Sequence, residues 1–323
     1  MLPNLGDIEE AARAVYSVMP PTPQYCWPLL CQRVETEVWV KHENHTPMGA
    51  FKLRGGLVYF DDLTRRNRVD GVITATRGNH GQSVGFAAKR YGLPAKIVVP
   101  FGNSAAKNAA MRALGVELIE HGDDFQAARE FAVALARDES LHMVPAFDPR
   151  LVAGVATYSL ELLRAVPDLS TVYVPIGLGS GICGMVAARD ALGRNTQIVG
   201  VVSAHARAYA ASFTEKRAVD APVSTALADG MACRTPEPAA LEVIRRGVDR
   251  IVEVTDGEVA RAIRLIFECT RNVAEGAGAA ALAAVLQEKN RLKGRKVGIV
   301  LSGGNIDSNA LAQILAEPVS DEH

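Results

Sequence analysis

Short β-branched runs alternate along this chain with longer Ala- and Leu-rich stretches, and that alternation constrains the fold more than any single motif. Runs from Glu37 to Val40, Gly71 to Ala75, Lys96 to Val99, Val116 to Ile119, Thr171 to Pro175, Gln197 to Val202, Arg250 to Val254 and Lys296 to Leu301 have the length and residue types of buried strands. Between them Gly81 to Tyr91, Ser104 to Leu114, Asp124 to Arg137, Gly181 to Leu192 and Asp256 to Arg271 have helical length. Strands alternating with helices predict mostly parallel sheets with helices on both faces, an α/β chain. No fixed-period repeat, low-complexity stretch or flexible linker divides the 323 residues, so two domains, if present, are expected to be interwoven.

Composition narrows the class of partner. Lys and Arg number 35 against 36 Asp and Glu, so there is no global basic field to hold nucleic acid or an anionic membrane. A small molecule is the expected partner. The start of the chain lacks the basic and apolar regions of a signal peptide, and the longest apolar run, Gly276 to Leu286, is too short to span a membrane, which predicts a cytoplasmic protein. Five cysteines, Cys26, Cys31, Cys183, Cys233 and Cys269, are odd in number and lack C-x-x-C spacing, so they are expected as reduced, mostly buried thiols.

Ligands in open parallel sheets sit beyond the carboxyl ends of strands, where glycine-rich turns lead into helices. Three strand ends carry such turns: Thr74 to Gly81 (TATRGNHG), Val174 to Gly181 (VPIGLGSG) and Val300 to Asp307 (VLSGGNID). A fourth segment, Met48 to Gly56 (MGAFKLRGG), places Lys52 among small residues before a helix. The Gly177 to Gly181 turn offers successive N–H groups and the Ser180 hydroxyl to an anion at a helix start. It is not a nicotinamide fingerprint, because Ile182 stands where the third glycine would be and Val202-Ser203 ends the next strand without an acid. A purely structural tight turn would look the same. Lys52, beside Ala50 and Phe51, could have its ammonium pKa lowered and so form a Schiff base, or could be a solvated lysine at a helix start. Asn79 and His80 suit a ligand, but equally a helix cap and a core histidine. Ser302 could merely end a strand.

Together the four segments, in this order, resemble the fold-type II pyridoxal-phosphate enzymes, in the branch of serine/threonine dehydratases and serine racemase. The stretch from Lys41 to Gly56, KHENHTPMGAFKLRGG, is similar to that family's cofactor-attachment signature, and the likeness covers nearly the whole chain. The resemblance implies pyridoxal 5'-phosphate on Lys52, Phe51 beside its ring, Asn79 at the ring hydroxyl, Gly177, Leu178, Gly179, Ser180 and Gly181 around the phosphate, and Ser302 at the pyridine nitrogen. Thr76, Arg77, Gly78, Asn79, His80 and Glu275 are the candidate substrate contacts. The implied reaction removes water and ammonia from a 3-hydroxy amino acid, turning L-threonine into 2-oxobutanoate and L-serine into pyruvate, with Lys52 taking the α-proton. The resemblance further implies a homodimer and two domains, residues 57–146 forming the smaller one, inserted between 1–56 and 147–323.

Several residues depart from the family pattern. Arg77 stands where a racemase would need a serine, and a guanidinium is a poor proton shuttle, so racemization is not expected. Arg77 is a candidate contact for a polar group on the substrate, or an outward solvated side chain. Relatives with a divalent-cation site have acids where this chain has Val202 and Ala208, so no metal is expected. Glu275 begins EGAGA, as a wall of the site or a helix-start charge. The chain ends soon after Ser302, which predicts no C-terminal regulatory domain. Rival readings are elimination from 3-hydroxyaspartate, 3-phenylserine or a compatible-solute intermediate, a β-replacement synthase, and a non-catalytic pyridoxal-phosphate binder.

Overall fold

The computed structural model describes residues 2–317. Ten strands form two sheets: β1 (Gln24–Cys26), β2 (Glu37–His42), β3 (Val72–Ala75), β4 (Ala95–Val99), β5 (Glu117–Glu120), β6 (His142–Met143), β7 (Thr171–Pro175), β8 (Gln197–Ser203), β9 (Arg250–Val254) and β10 (Lys296–Leu301). The larger sheet has the order β1-β2-β10-β7-β8-β9 and the smaller β5-β4-β3-β6. Every pairing is parallel except β1 with β2. The expected strands are all present, with ends shifted by one or two residues; β1 and the two-residue β6 are too short to leave a period in the sequence.

Both sheets are buried on both faces, as parallel sheets must be. One face of the larger sheet packs Val172, Val174 and Ile198 against the helices Pro149–Ala165, Ser180–Ala191 and Pro238–Gly247. The other packs Tyr173, Val199 and Ile299 against Asp256–Thr270 and Gly276–Gln287. In the smaller sheet the alternation is direct: Val72 and Ile97 face the helices Lys52–Arg66 and Asn79–Arg90, whereas Ile73 and Val98 face Phe125–Asp138. The helix Lys52–Arg66 runs unbroken across the expected domain boundary at residue 57.

Helix starts follow local chemistry. Asp148 accepts from Arg150 N with Pro149 next in the chain, and Thr255 forms a reciprocal capping box with Glu258. The cysteines need a correction: all five are free, but only Cys183 and Cys233 are buried. Cys26 and Cys31 are half-buried because they sit on the edge strand β1 and the short helix Pro28–Val34 beside it, their sulfurs 3.4 Å apart. Among the described residues no helix is long and apolar enough to cross a membrane.

Candidate active site

The four segments singled out in the sequence follow β2, β3, β7 and β10; parallel ladders bring the ends of β2, β10 and β7 together in the larger sheet, and the turn after β3, from the smaller sheet, is joined to them through the side chain of Asn79. Phe51 N donates to Ser302 O at 3.0 Å and Gly304 N to Gly49 O at 2.8 Å, so the lysine loop and the loop after β10 lie edge to edge. Lys52 opens its helix, and its Nζ donates to Ser180 Oγ at 3.1 Å. That one bond joins the first segment to the glycine loop. Burial pushes the Lys52 ammonium down to about 8, close to the range where a lysine serves as a nucleophile and base. Phe51 lies beside it, its ring centroid 5.1 Å from Nζ and its plane edge-on to Tyr158. Ser302 is 3% exposed, and among the described residues its hydroxyl makes no hydrogen bond.

The glycine loop is built to receive an anion. No backbone N–H from Gly177 to Gly181 has an acceptor in the chain among the described residues, and the helix Ser180–Ala191 starts without a side-chain cap. Gly177 is obligatory, since a Cβ there would lie 2.3 Å from Gly230 O. Gly179 has φ +98°, the left-handed region that favours glycine. Five consecutive donors at a helix start match a phosphate monoester.

A second, smaller donor site lies at the start of the helix Asn79–Arg90. Thr76 Oγ1 accepts from Gly78 N at 3.0 Å and Gly81 N at 3.3 Å, so Thr76 shapes the turn and keeps only its hydroxyl proton to offer. The N–H groups of Asn79 and His80 have no acceptor among the described residues. Asn79 is held on both sides: its Nδ2 donates to Glu275 Oε1 at 2.7 Å and its Oδ1 accepts from Asn305 Nδ2 at 2.9 Å. One amide proton is left free. His80 has a buried Nε2 without a partner, and burial with the Lys52 charge pushes the imidazole down to about 3, so it is neutral. Glu275 precedes its helix but caps nothing. Its Oε2 is buried without a partner, and burial pushes the carboxyl up to about 7. Arg77 points outward and makes no hydrogen bond among the described residues.

The model of the family described as "Pyridoxal-phosphate dependent enzyme" matches residues 17–303. The chain belongs to that family. Its sequence is 36% identical over 313 residues to an L-threonine ammonia-lyase of Thermotoga maritima, covering 97% of this chain and 78% of the relative. Its fold matches processed threonine deaminase isoform 2 from Solanum lycopersicum with a TM-score of 0.89 at 29% identity, covering 98% and 95% of the two chains. Maize serine racemase matches with a TM-score of 0.91 at 27% identity, covering 97% of each.

For a pyridoxal-phosphate-dependent enzyme the residues present fit: an amine of lowered pKa for the aldehyde, unpaired N–H donors for the phosphate, and a hydroxyl and an amide proton left free for the ring's polar atoms. A surface cavity of about 780 Å³, lined by Cys26, Glu37, Ser170 and Lys296, lies instead at the amino ends of β2, β7 and β10, away from Lys52. Val202 and Ala208 are buried apolar positions, and among the described residues no three His, Cys, Asp or Glu side chains gather as metal ligands would. Sequence reasoning missed Asn305, Lys107 and Asp229. Asn305 follows the Ser302-Gly-Gly motif by one residue and was within reach of the reading; Lys107 and Asp229 are brought to the site only by the packing of one sheet layer on the other.

Proposed function

We propose that this pyridoxal-phosphate-dependent enzyme is an ammonia-lyase for 3-hydroxy amino acids, with L-threonine and L-serine as substrates. The observation that carries the reading is the Lys52 amine, depressed to about 8 by burial and seated between the anion-ready loop and the turn at Asn79 and His80. The relatives' names supply the substrate class.

Pyridoxal phosphate, when bound, supplies the electron sink that makes a substrate's α-proton acidic. The N–H groups from Gly177 to Gly181 and the Ser180 hydroxyl would hold its phosphate. Phe51 would pack against it, the free amide proton of Asn79 would be offered to its hydroxyl, and the Ser302 hydroxyl would be offered to its nitrogen as a neutral partner. The N–H groups of Asn79 and His80, with the Thr76 hydroxyl and the bare Gly78, take the substrate carboxylate at a helix start. Lys52 in its neutral form removes the α-proton. The β-hydroxyl leaves as water, the released enamine takes up water, and ammonia departs, so L-threonine yields 2-oxobutanoate and L-serine pyruvate.

The layer of residues 57–146 is read as the unit that closes on the substrate carboxylate. A homodimer in the cytoplasm completes the reading, the first testable by sedimentation and the second by fractionation. A second substrate class, an acidic 3-hydroxy amino acid, would require the exposed Arg77 guanidinium to turn inward beside Gly78. The deciding experiment measures ammonia and 2-oxo acid from cofactor-loaded protein given L-threonine, L-serine, threo-3-hydroxyaspartate and 3-phenylserine. Turnover of the first two is expected. Turnover of only the latter two moves the specificity to Arg77, and no product from any of them overturns the reading.

A further inference from the structure

We propose that Lys107 is a positioning residue that latches the four-stranded layer onto the six-stranded one over the substrate carboxylate. The carboxylate rests on the function proposed above; the latch rests on the geometry alone. Lys107 stands in the first turn of the helix Ala105–Ala113, which packs on the smaller sheet. Its Nζ meets Asp229 Oδ2 at 2.5 Å, and Asp229 belongs to the other layer, where it opens the short turn Asp229–Met231. Gly230, the next residue, presents its carbonyl to Gly177 in the anion loop. The latch therefore ties the small layer to the segment that braces the phosphate site. Ser104, three residues earlier on the same helix start, donates to Asp307 Oδ1 at 2.7 Å and makes a second tie.

The stem of Lys107 also lies against the carboxylate turn. A Cβ on Gly78 would come within 2.8 Å of Lys107 Cδ and 3.6 Å of Nζ, so turn and lysine are packed as one unit. An anion at the Asn79 and His80 N–H groups is then attracted by an ammonium just behind the turn. Exposure separates this pair from a core ion pair. The Arg54 and Glu43 side chains are both 0% exposed, whereas Asp229 is 33% exposed against 10% for Lys107. Water reaches the Asp229 side, so this pair can open and close at an edge between layers, where the fully dry pair cannot. If substrate is bound productively only in the closed form, apparent affinity scales with the fraction of molecules closed.

The test uses cofactor-loaded protein and four variants: Lys107→Met, Asp229→Asn, Lys107→Arg and the reciprocal Lys107→Asp with Asp229→Lys. Backbone hydrogen exchange is followed in 105–113 and 229–231, with and without L-alanine, an amino acid that has no β-leaving group. In the unaltered protein L-alanine is expected to slow exchange in both segments together. Lys107→Met and Asp229→Asn should abolish that joint protection and raise KM for L-threonine about tenfold while kcat changes less than about threefold. Lys107→Arg and the reciprocal pair should restore most of the protection, which a merely structural lysine would not show. Joint protection that persists in both Lys107→Met and Asp229→Asn overturns the latch, as does a fall in kcat with KM unchanged. If the unaltered protein makes no 2-oxo acid yet shows joint protection that Lys107→Met removes, the substrate assignment fails and the latch stands.

Discussion

Two buried polar clusters flank the start of the Lys52 helix, and they differ in one respect. Behind the helix, Arg54 donates from Nε to Glu43 at 2.7 Å and from Nη1 to Glu161 at 2.6 Å and Thr157 at 2.9 Å. Lys41 closes on Glu161, and Thr22 donates to Glu43 at 2.6 Å. Two cations meet two anions, and Arg54 and Lys41 hold the Glu161 carboxyl below the usual range against the opposing effect of burial. In front of the helix, His80 Nε2 and Glu275 Oε2 are buried with no hydrogen-bond partner among the described residues, and Glu275 lies well above the usual carboxylate range. A complete network rigidifies; an incomplete one costs stability unless something else completes it. The rear cluster holds the lysine in place, and the front cluster is where a ligand is received.

The largest way to break this contrast is Lys52→Ala. Removing the amine that takes the α-proton should cut 2-oxo acid release by roughly 10²–10⁴-fold, the range of a lost general base. The visible absorption of the lysine-bound cofactor should vanish, while the urea unfolding midpoint moves little, since the long side chain leaves no unpaired charge behind. An unchanged visible spectrum would sink the cofactor assignment. Arg54→Met, two residues on, should do the reverse. It strands Glu43 in the core without its cation and leaves Glu161 to Lys41 alone, and the cost should be about 3–5 kcal/mol of unfolding free energy in urea. An Arg54→Met protein that unfolds like the parent would mean that the rear cluster is not holding the helix.

The front cluster carries its own pH signature. Glu275 is pushed up to about 7 by burial, with Asp229 adding to the shift and Lys107 and Asn79 opposing it. Between its unfolded value near 4.5 and about 7 the folded protein keeps a proton that the unfolded chain has released, so stability falls as pH rises through that window. Glu275→Gln should flatten this fall in the cofactor-free protein and leave it more stable at pH 8, by on the order of 3 kcal/mol. Equal slopes for both proteins between pH 5 and 7 would remove Glu275 as the titrating group.

The sequence made the front cluster legible in part. Lys52, Asn79, Ser302 and the glycine turn all follow strand ends, so the α/β pattern marked them as candidates, and the family resemblance gave them roles; that Asn79 comes from the smaller sheet and the others from the larger is seen only in the fold. Glu275 was legible as a residue but not as a partner of Asn79, which lies 196 positions away. Arg54 was passed over within the very motif that was quoted, because its partners Glu43 and Glu161 come from a loop and a distant helix. Lys107 and Asp229 look like ordinary surface charges in one dimension. What periodicity cannot show is which layers touch, and Lys107, Asp229 and Asn305 were missed because their partners lie across a layer boundary.

Asn305 gives the finest test, because its effect should be small and confined to one side of the comparison. Its Nδ2 donates to Asn79 Oδ1 and to Met48 O, both at 2.9 Å, so it fixes the plane of the Asn79 amide from behind while Glu275 fixes it from the side. With its carbonyl occupied, Asn79 can offer the site only an N–H donor. Asn305→Ala would free that carbonyl and leave Glu275 alone to hold the plane of the amide, so the N–H offered to the cofactor would be less firmly aimed. One lost neutral hydrogen bond is worth about 1 kcal/mol, so cofactor affinity should fall severalfold while unfolding free energy drops by no more than about 1 kcal/mol. Equilibrium dialysis against pyridoxal phosphate separates the outcomes. A large loss of stability with unchanged affinity would move Asn305 into the rear, structural class, and the front cluster would then end at Asn79.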